Sequence, residues 1–259
     1  MRLPVLLYHH VGPSRPGTFP ELTVSAERFE RHLRWLVRRG YVGIRPADWL
    51  DWSRKAGSLP RRPVLLTFDD AYADLAEHAL PLLRQYDFGG AVFVVTGRIG
   101  DENRWDQVRG SQRHRLMTAR QIREWAGCGI EFGAHSRTHA DLTTLSQAQL
   151  NQEIRGSRDD LAAVTGLPVT SFAYPFGRVN EAVYECTRAV FDCAFSCEEG
   201  VNTDTTDPYG LCRNMVHPGD SAFAVACRTR FGRYPVQKWR ARLRIRSHLR
   251  AAAARLPRW

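Results

Sequence analysis

Short, uninterrupted apolar runs alternate with stretches of helical periodicity along most of this chain. Runs at residues 3–8, 41–44, 63–68, 90–95, 130–133, 171–174 and 193–196 read as strands. The run 63–68, Pro-Val-Leu-Leu-Thr-Phe, is continuous rather than alternating, the pattern of a strand covered on both faces. Helical spacing fills residues 25–39, 74–86, 118–126, 146–164 and 180–190. In the first of these, Ser25 is placed as the N-cap, Phe29, Leu33, Leu36 and Val37 form an apolar stripe, and Gly40 ends the helix. Ser146 and Gln149 have the spacing of a capping box. Residues 97–117 are polar and arginine-rich and read as a long loop. Strand–helix alternation at this rhythm implies parallel βαβ units, hence a doubly wound sheet or a barrel.

The formal charge of +10 is unevenly distributed. From Ser221 onward there are ten Arg, one Lys and no acidic residue, so the first 220 residues are close to neutral. The positive charge reads as a basic C-terminal appendage on a neutral body. That argues against a uniformly basic nucleic-acid-binding domain. Residues 1–230 are expected to form one domain and 231–259 a basic tail, with an arginine-rich helix at 238–256. Ile245, Leu249, Ala252 and Leu256 would share one stripe of that helix. Such a tail suits an anionic membrane surface better than nucleic acid, although it also fits a solvated tail. The six cysteines are expected to be mostly buried free thiols, because a chain of 259 residues needs no disulfide framework. The opening MRLPVLLYHHVG lacks the small-residue cleavage site of a signal peptide, and no apolar run is long enough to span a bilayer. The expected location is cytoplasmic, peripheral at the inner face of the membrane if the tail binds it.

Three clusters at strand ends carry the chemistry, where parallel α/β folds place their active sites. The strand 63–68 runs into Asp69-Asp70. Adjacent side chains of an extended strand point apart, so a kink is needed to aim both carboxylates at one site; otherwise they cap the next helix. His135 and His139 have H-x3-H spacing and could share one face of a helical turn. With a carboxylate from Asp69 or Asp70 they would make a two-histidine, one-carboxylate metal site with open positions for water. The third cluster, Phe172-Ala-Tyr-Pro-Phe-Gly177, is a strand entering a Pro/Gly turn. Such a turn can present a backbone N–H to a developing oxyanion, or be only a turn.

Together these pieces resemble the polysaccharide deacetylase family, the NodB-homology domain of carbohydrate esterase family four. The resemblance spans roughly residues 1–225. It rests on Tyr8-His9, Thr67-Phe-Asp-Asp70, Ala134-His-Ser-Arg-Thr-His139 with Asp141-Leu142, Phe172 to Gly177, and Leu211-x-Arg213 through Asp220. The N-terminal Tyr-His is similar to the branch that modifies exopolysaccharides. The resemblance implies an irregular (β/α)7 barrel and metal-dependent removal of N-acetyl groups from an N-acetylhexosamine saccharide. It makes Asp70, His135 and His139 the ligands of one divalent ion, zinc first, with cobalt, nickel or manganese as alternatives. It makes Asp69 the base toward the attacking water, the Phe176 N–H an oxyanion donor, and His9 the acid toward the departing amine, with His217 as the alternative acid. His10, next in the strand, is expected to face away.

Two positions depart from the family pattern. Ala71 stands where Gly usually follows Asp-Asp, and Ala173 where many members carry an Arg that holds the base; Arg213 is the expected substitute. Trp105 could stack on a sugar or pack its own loop. Two other readings stay open at this level: an inactive carbohydrate-binding protein on the same barrel, and a hydrolase of another non-peptide C–N bond.

Overall fold

In a computed structural model of the chain, described over residues 1–13, 22–105 and 113–234, the apolar runs form one curled parallel sheet. Its strands are β1 (Val5–Tyr8), β2 (Val42–Ile44), β3 (Pro63–Phe68), β4 (Gly90–Val94), β5 (Ile130–Ala134), β6 (Ser171–Ala173), β7 (Cys193–Phe195) and β8 (Asn214–Met215). The spatial order is β7-β6-β5-β4-β3-β1-β8. One edge of β3 is shared, β2 pairing with residues 63–65 and β4 with residues 67–68. β1 lies on the other edge, from Val5 opposite Leu65 to Tyr8 opposite Phe68.

A single irregular segment joins the two ends of this sheet. Leu211 bridges Phe195 on the outer edge of β7, and β8 then pairs with Leu6 and Leu7 of β1. The curled sheet thereby takes the irregular β/α barrel form that the family resemblance implied, and not the doubly wound sheet that strand–helix alternation also allowed. β3 is buried along its whole length, as its continuous apolar run requires.

The helices are α1 (Ala26–Arg38), α2 (Pro46–Ser53), α3 (Leu80–Gln85), α4 (Ala119–Ala126), α5 (Gln147–Thr165), α6 (Glu181–Arg188) and α7 (Ala222–Phe231). Ser25 caps α1 by accepting the Arg28 N–H, and the Ser146–Gln149 box opens α5. The buried face of α1 is Phe29, His32, Leu33 and Leu36. Val37 is 43 % exposed, which corrects its place in the stripe, because it sits one step around from the i, i+3, i+4, i+7 face. α2 was not read from the sequence, although Pro46 at its first position and Asp48 accepting the Arg45 N–H mark its start. The helix expected at 74–86 opens with a π turn, Leu75–Ala79, in which the Leu80 N–H reaches Leu75 C=O. Pro81 has no N–H to offer Glu77, so the α ladder cannot run through this point.

α7 carries the first arginines of the basic stretch that begins at Ser221. Arg228 among them is buried and donates to the buried Asp220 carboxylate at 2.9 Å. The tail 231–259 is described only to residue 234, and the helix expected at 238–256 lies outside the described residues. The six cysteines are free, but only Cys186 and Cys193 are buried; Cys128 and Cys197 are exposed, against the expectation of mostly buried thiols. No helix among the described residues is long and apolar enough to cross a membrane.

Candidate active site

Because the strands are parallel, their C-terminal ends gather Asp69 and Asp70 after β3, His135 after β5 and the turn 174–177 after β6 at one end of the barrel. Asp70 leaves the strand with φ of +70° and Ala71 with φ of +53°. This kink lets two adjacent carboxylates serve one site. Asp69, Asp70, His135 and His139 are all buried.

The H-x3-H pair meets by a route other than the helical turn expected. Residues 135–139 form no helix. Ser136 and His139 instead take φ of +61° and +60°, and the Ser136 hydroxyl accepts the His139 N–H at 2.9 Å. From α5, Glu153 accepts the N–H groups of Arg137 and Thr138, both at 2.9 Å, and fixes the loop from outside. Sequence reasoning missed Glu153. Its only signal was the helical register started by the Ser146 box.

Asp70, His135 and His139 can each offer one donor atom within 4.8 Å of the others, the one such group among the described residues. Asp70 Oδ1 lies 3.7 Å from His135 Nε2 and 3.4 Å from His139 Nε2. His135 Nδ1–H donates to Ala173 C=O at 2.7 Å, which leaves the Nε2 lone pair directed to the group. Burial lowers the pKa of His135, and burial together with His135 takes His139 well below the usual histidine range. Two neutral imidazoles and one carboxylate form a donor set that suits a divalent ion.

Asp69 is held differently. Arg213 donates Nη1–H and Nη2–H to its two oxygens at 2.6 and 2.8 Å, and Nε–H to Ser196 C=O at 2.8 Å. The guanidinium is itself buried, packed against Phe93 and Phe195. Burial raises the Asp69 pKa, but the Arg213 charge, His135 and the hydrogen bonds outweigh it and take the group down to about 2. Asp69 is thus ionised at neutral pH and aimed by a fork, from the strand-closing segment 211–215.

His9 is pushed down to about 4, chiefly by burial, and its nearest charged influences are Asp69, Arg213, His10 and His135. His217 answers instead to Arg228, Asp220 and Glu199, a separate cluster. His10 does turn away: its Nδ1 bonds Asp74 at 2.7 Å and its ring stacks on Tyr72. Phe176 takes φ of +59° in the turn after β6, with its ring edge-on to His139 at 4.5 Å. Trp105 stacks on the opposite partner of that contact, the His139 ring itself, at 4.8 Å. In this structure Trp105 packs on a candidate ligand. Asp141 pairs with Arg178, tying the His139 loop to the Phe176 turn.

The sequence pattern of one known family, polysaccharide deacetylase, matches residues 56–190, just over half of the chain. The chain belongs to the polysaccharide deacetylase family. It is therefore a hydrolase acting on carbon–nitrogen bonds other than peptide bonds. Over 224 residues it is 28% identical to YxkH of Bacillus subtilis (strain 168), covering 86% of this chain and 74% of that protein. A poly-beta-1,6-N-acetyl-D-glucosamine N-deacetylase of Staphylococcus aureus (strain MSSA476) is 25% identical over 211 residues, covering 78% and 69%. The fold is similar to that of the Streptococcus pyogenes deacetylase PplD in complex with acetate, with a TM-score of 0.75 at 24% identity. That match covers 86% of this chain and 96% of PplD. Asp70 joins the Asp-His-His group with Ala71 beside it, and the residue that forks Asp69 is Arg213, with Ala at 173.

Proposed function

We propose that this deacetylase removes N-acetyl groups from an N-acetylhexosamine polymer of the exopolysaccharide type. The observation that carries the reading is the pairing of two carboxylates with opposite surroundings: Asp70 among imidazoles, and Asp69 in the Arg213 fork. Asp70, His135 and His139 would hold a divalent ion, which would supply Lewis acidity toward water and the acetyl carbonyl. Asp69, ionised and fixed beside that group, takes the proton of the attacking water. The Phe176 backbone N–H, set by the left-handed turn, stabilises the tetrahedral oxyanion.

His9 gives the departing nitrogen its proton. It is favoured over His217 because its field comes from Asp69 and His135, while that of His217 comes from the Asp220–Arg228 cluster. At a pKa of about 4 the His9 imidazole is neutral near pH 7, so the proton that Asp69 takes from water passes to His9 and from His9 to the nitrogen as the C–N bond breaks. The likeness to the staphylococcal enzyme supports β-1,6-linked N-acetylglucosamine oligomers as the first substrate to test. We place the protein in the cytoplasm, with the basic segment 231–259 in contact with anionic membrane; its charge is the support for that reading.

The test is acetate release from those oligomers with zinc, cobalt, nickel or manganese present. Wild type is expected to release acetate, and Asp69→Asn, isosteric but not basic, to lose at least about a hundredfold in kcat. Equal rates for the two proteins would remove Asp69 from the reaction. Release of ammonia or of another amine, without acetate, would point to a different C–N bond.

A further inference from the structure

The opposite end of the barrel carries a second feature that deacetylation does not use. At the N-terminal ends of β1 and β3, a cleft of about 750 Å³ is bordered by Arg2, Arg39, Arg61, Arg62 and Arg230, and no acidic residue lines it. None of these five has a carboxylate partner among the described residues. Arg34, Arg45, Arg54, Arg137 and Arg178 elsewhere each hold one. Two of the five donate instead to main-chain carbonyls: Arg62 to Arg39 C=O at 2.6 Å, and Arg2 to Arg230 C=O at 2.9 Å. The Arg39 and Arg62 guanidiniums lie over Trp35 and Tyr41, each at 5.9 Å.

The same cleft is flanked by apolar side chains that face water. Phe223 is 68 % exposed and Phe231 64 %, and both line it. Uncompensated cations repel one another, and exposed phenyl rings cost free energy in water. Both penalties are relieved by a surface that is anionic outside and apolar beneath.

We propose that this end of the barrel is a docking face for an anionic lipid bilayer. The arginines meet the lipid phosphates, and Phe223 and Phe231 enter the acyl boundary. Charge excludes the nearer occupants. Residues 235–259 contain seven Arg, one Lys and no acidic residue, so they carry no charge that would complement the cleft. A second copy related by a two-fold axis would set arginine against arginine. A nucleic-acid duplex would neutralise the arginines but leave both phenyl rings in water.

This face is independent of the deacetylase reading, but it fixes an orientation. The six steps from Pro63 to Asp69 place the Asp-His-His group about 20 Å from the cleft. A membrane-docked molecule opens its active site away from the bilayer, toward polymer in the aqueous phase.

The experiment is co-sedimentation of the full chain with vesicles of phosphatidylglycerol and phosphatidylcholine in equal parts, and with phosphatidylcholine alone. Wild type is expected to sediment with the anionic vesicles only. The triple substitution Arg39→Glu, Arg62→Glu, Arg230→Glu is expected to lower partition about a hundredfold, at roughly fivefold per arginine. The pair Phe223→Ser, Phe231→Ser is expected to lower it at least about tenfold. Both variants should retain wild-type thermal unfolding and any acetate release from soluble oligomers. Wild-type failure to sediment, sedimentation of both variants at the wild-type level, or binding lost only on neutralising Arg240, Arg242, Arg244 and Arg246 would overturn the proposal. So would displacement from the vesicles by equimolar duplex DNA, which would assign the face to nucleic acid.

Discussion

Backbone strain is concentrated where the chemistry is. Seven non-glycine residues take positive φ among the described residues, and five of them are Asp70, Ala71, Ser136, His139 and Phe176. Left-handed backbone at L-residues is retained where surrounding contacts over-determine it, as they do here. Ala71 is the simplest test. Ala71→Gly removes a left-handed penalty of about 1–2 kcal/mol and returns part of it as unfolded-chain entropy, so a net gain of about 0.5–1 kcal/mol is expected. Thermal unfolding would show it as a higher Tm; an unchanged or lower Tm would mean that Ala71 is not strained. Arg213 is tested in the other direction. Arg213→Met leaves Asp69 buried and without its fork, and about 3–5 kcal/mol of unfolding free energy should be lost in urea titration. The residue types of both positions were legible in the sequence. That Ala71 still permits the kink was not, because strain is settled by packing from several elements at once.

Elements were legible where their signals are local. The box Ser146–Gln149 placed α5 and the cap at Ser25 placed α1. α2 and α7 are not legible in the same way: α2 is eight residues long and begins one residue after β2, and α7 has no apolar stripe to mark it. What holds α7 is a buried polar chain. Tyr8 O–H donates to His32 Nδ1, His32 Nε2–H donates to Asp220 C=O, and Arg228 donates to the Asp220 carboxylate. Such a chain joins residues far apart in sequence and leaves no periodic trace. It also carries a pH dependence. Burial takes His32 down to about 4, against 6.5 in the unfolded chain. As pH falls below 6.5 the unfolded chain binds a proton that the folded one refuses. Stability should therefore decline from pH 6.5 to about 4, by on the order of 3 kcal/mol from this group. Urea unfolding of wild type and His32→Gln across that range should show a shallower decline in the variant. Parallel declines would assign the acid sensitivity elsewhere.

At the scale of the whole molecule, barrel closure and the active site are one feature. The segment 211–215 bridges β7, pairs with β1, and places Arg213 on Asp69 between those two contacts. The sequence showed parallel alternation plainly, yet it did not show β8, a two-residue strand with no pattern of its own. Asn214 holds the closure: buried, it donates to Val5 C=O at 3.2 Å and to Gly200 C=O at 2.7 Å. Asn214→Ala removes the donor to the Val5 and Gly200 carbonyls and should cost about 1–3 kcal/mol, with kcat falling more than KM changes because the Arg213 fork loses its mooring. The most direct test of the metal centre is isothermal titration of divalent metal into purified wild type and His139→Ala. The expected result is one tight site per chain in wild type and its loss in the variant. Absence of a site in wild type, or a site indifferent to His139, would contradict the assignment of Asp70, His135 and His139 as the metal-binding group.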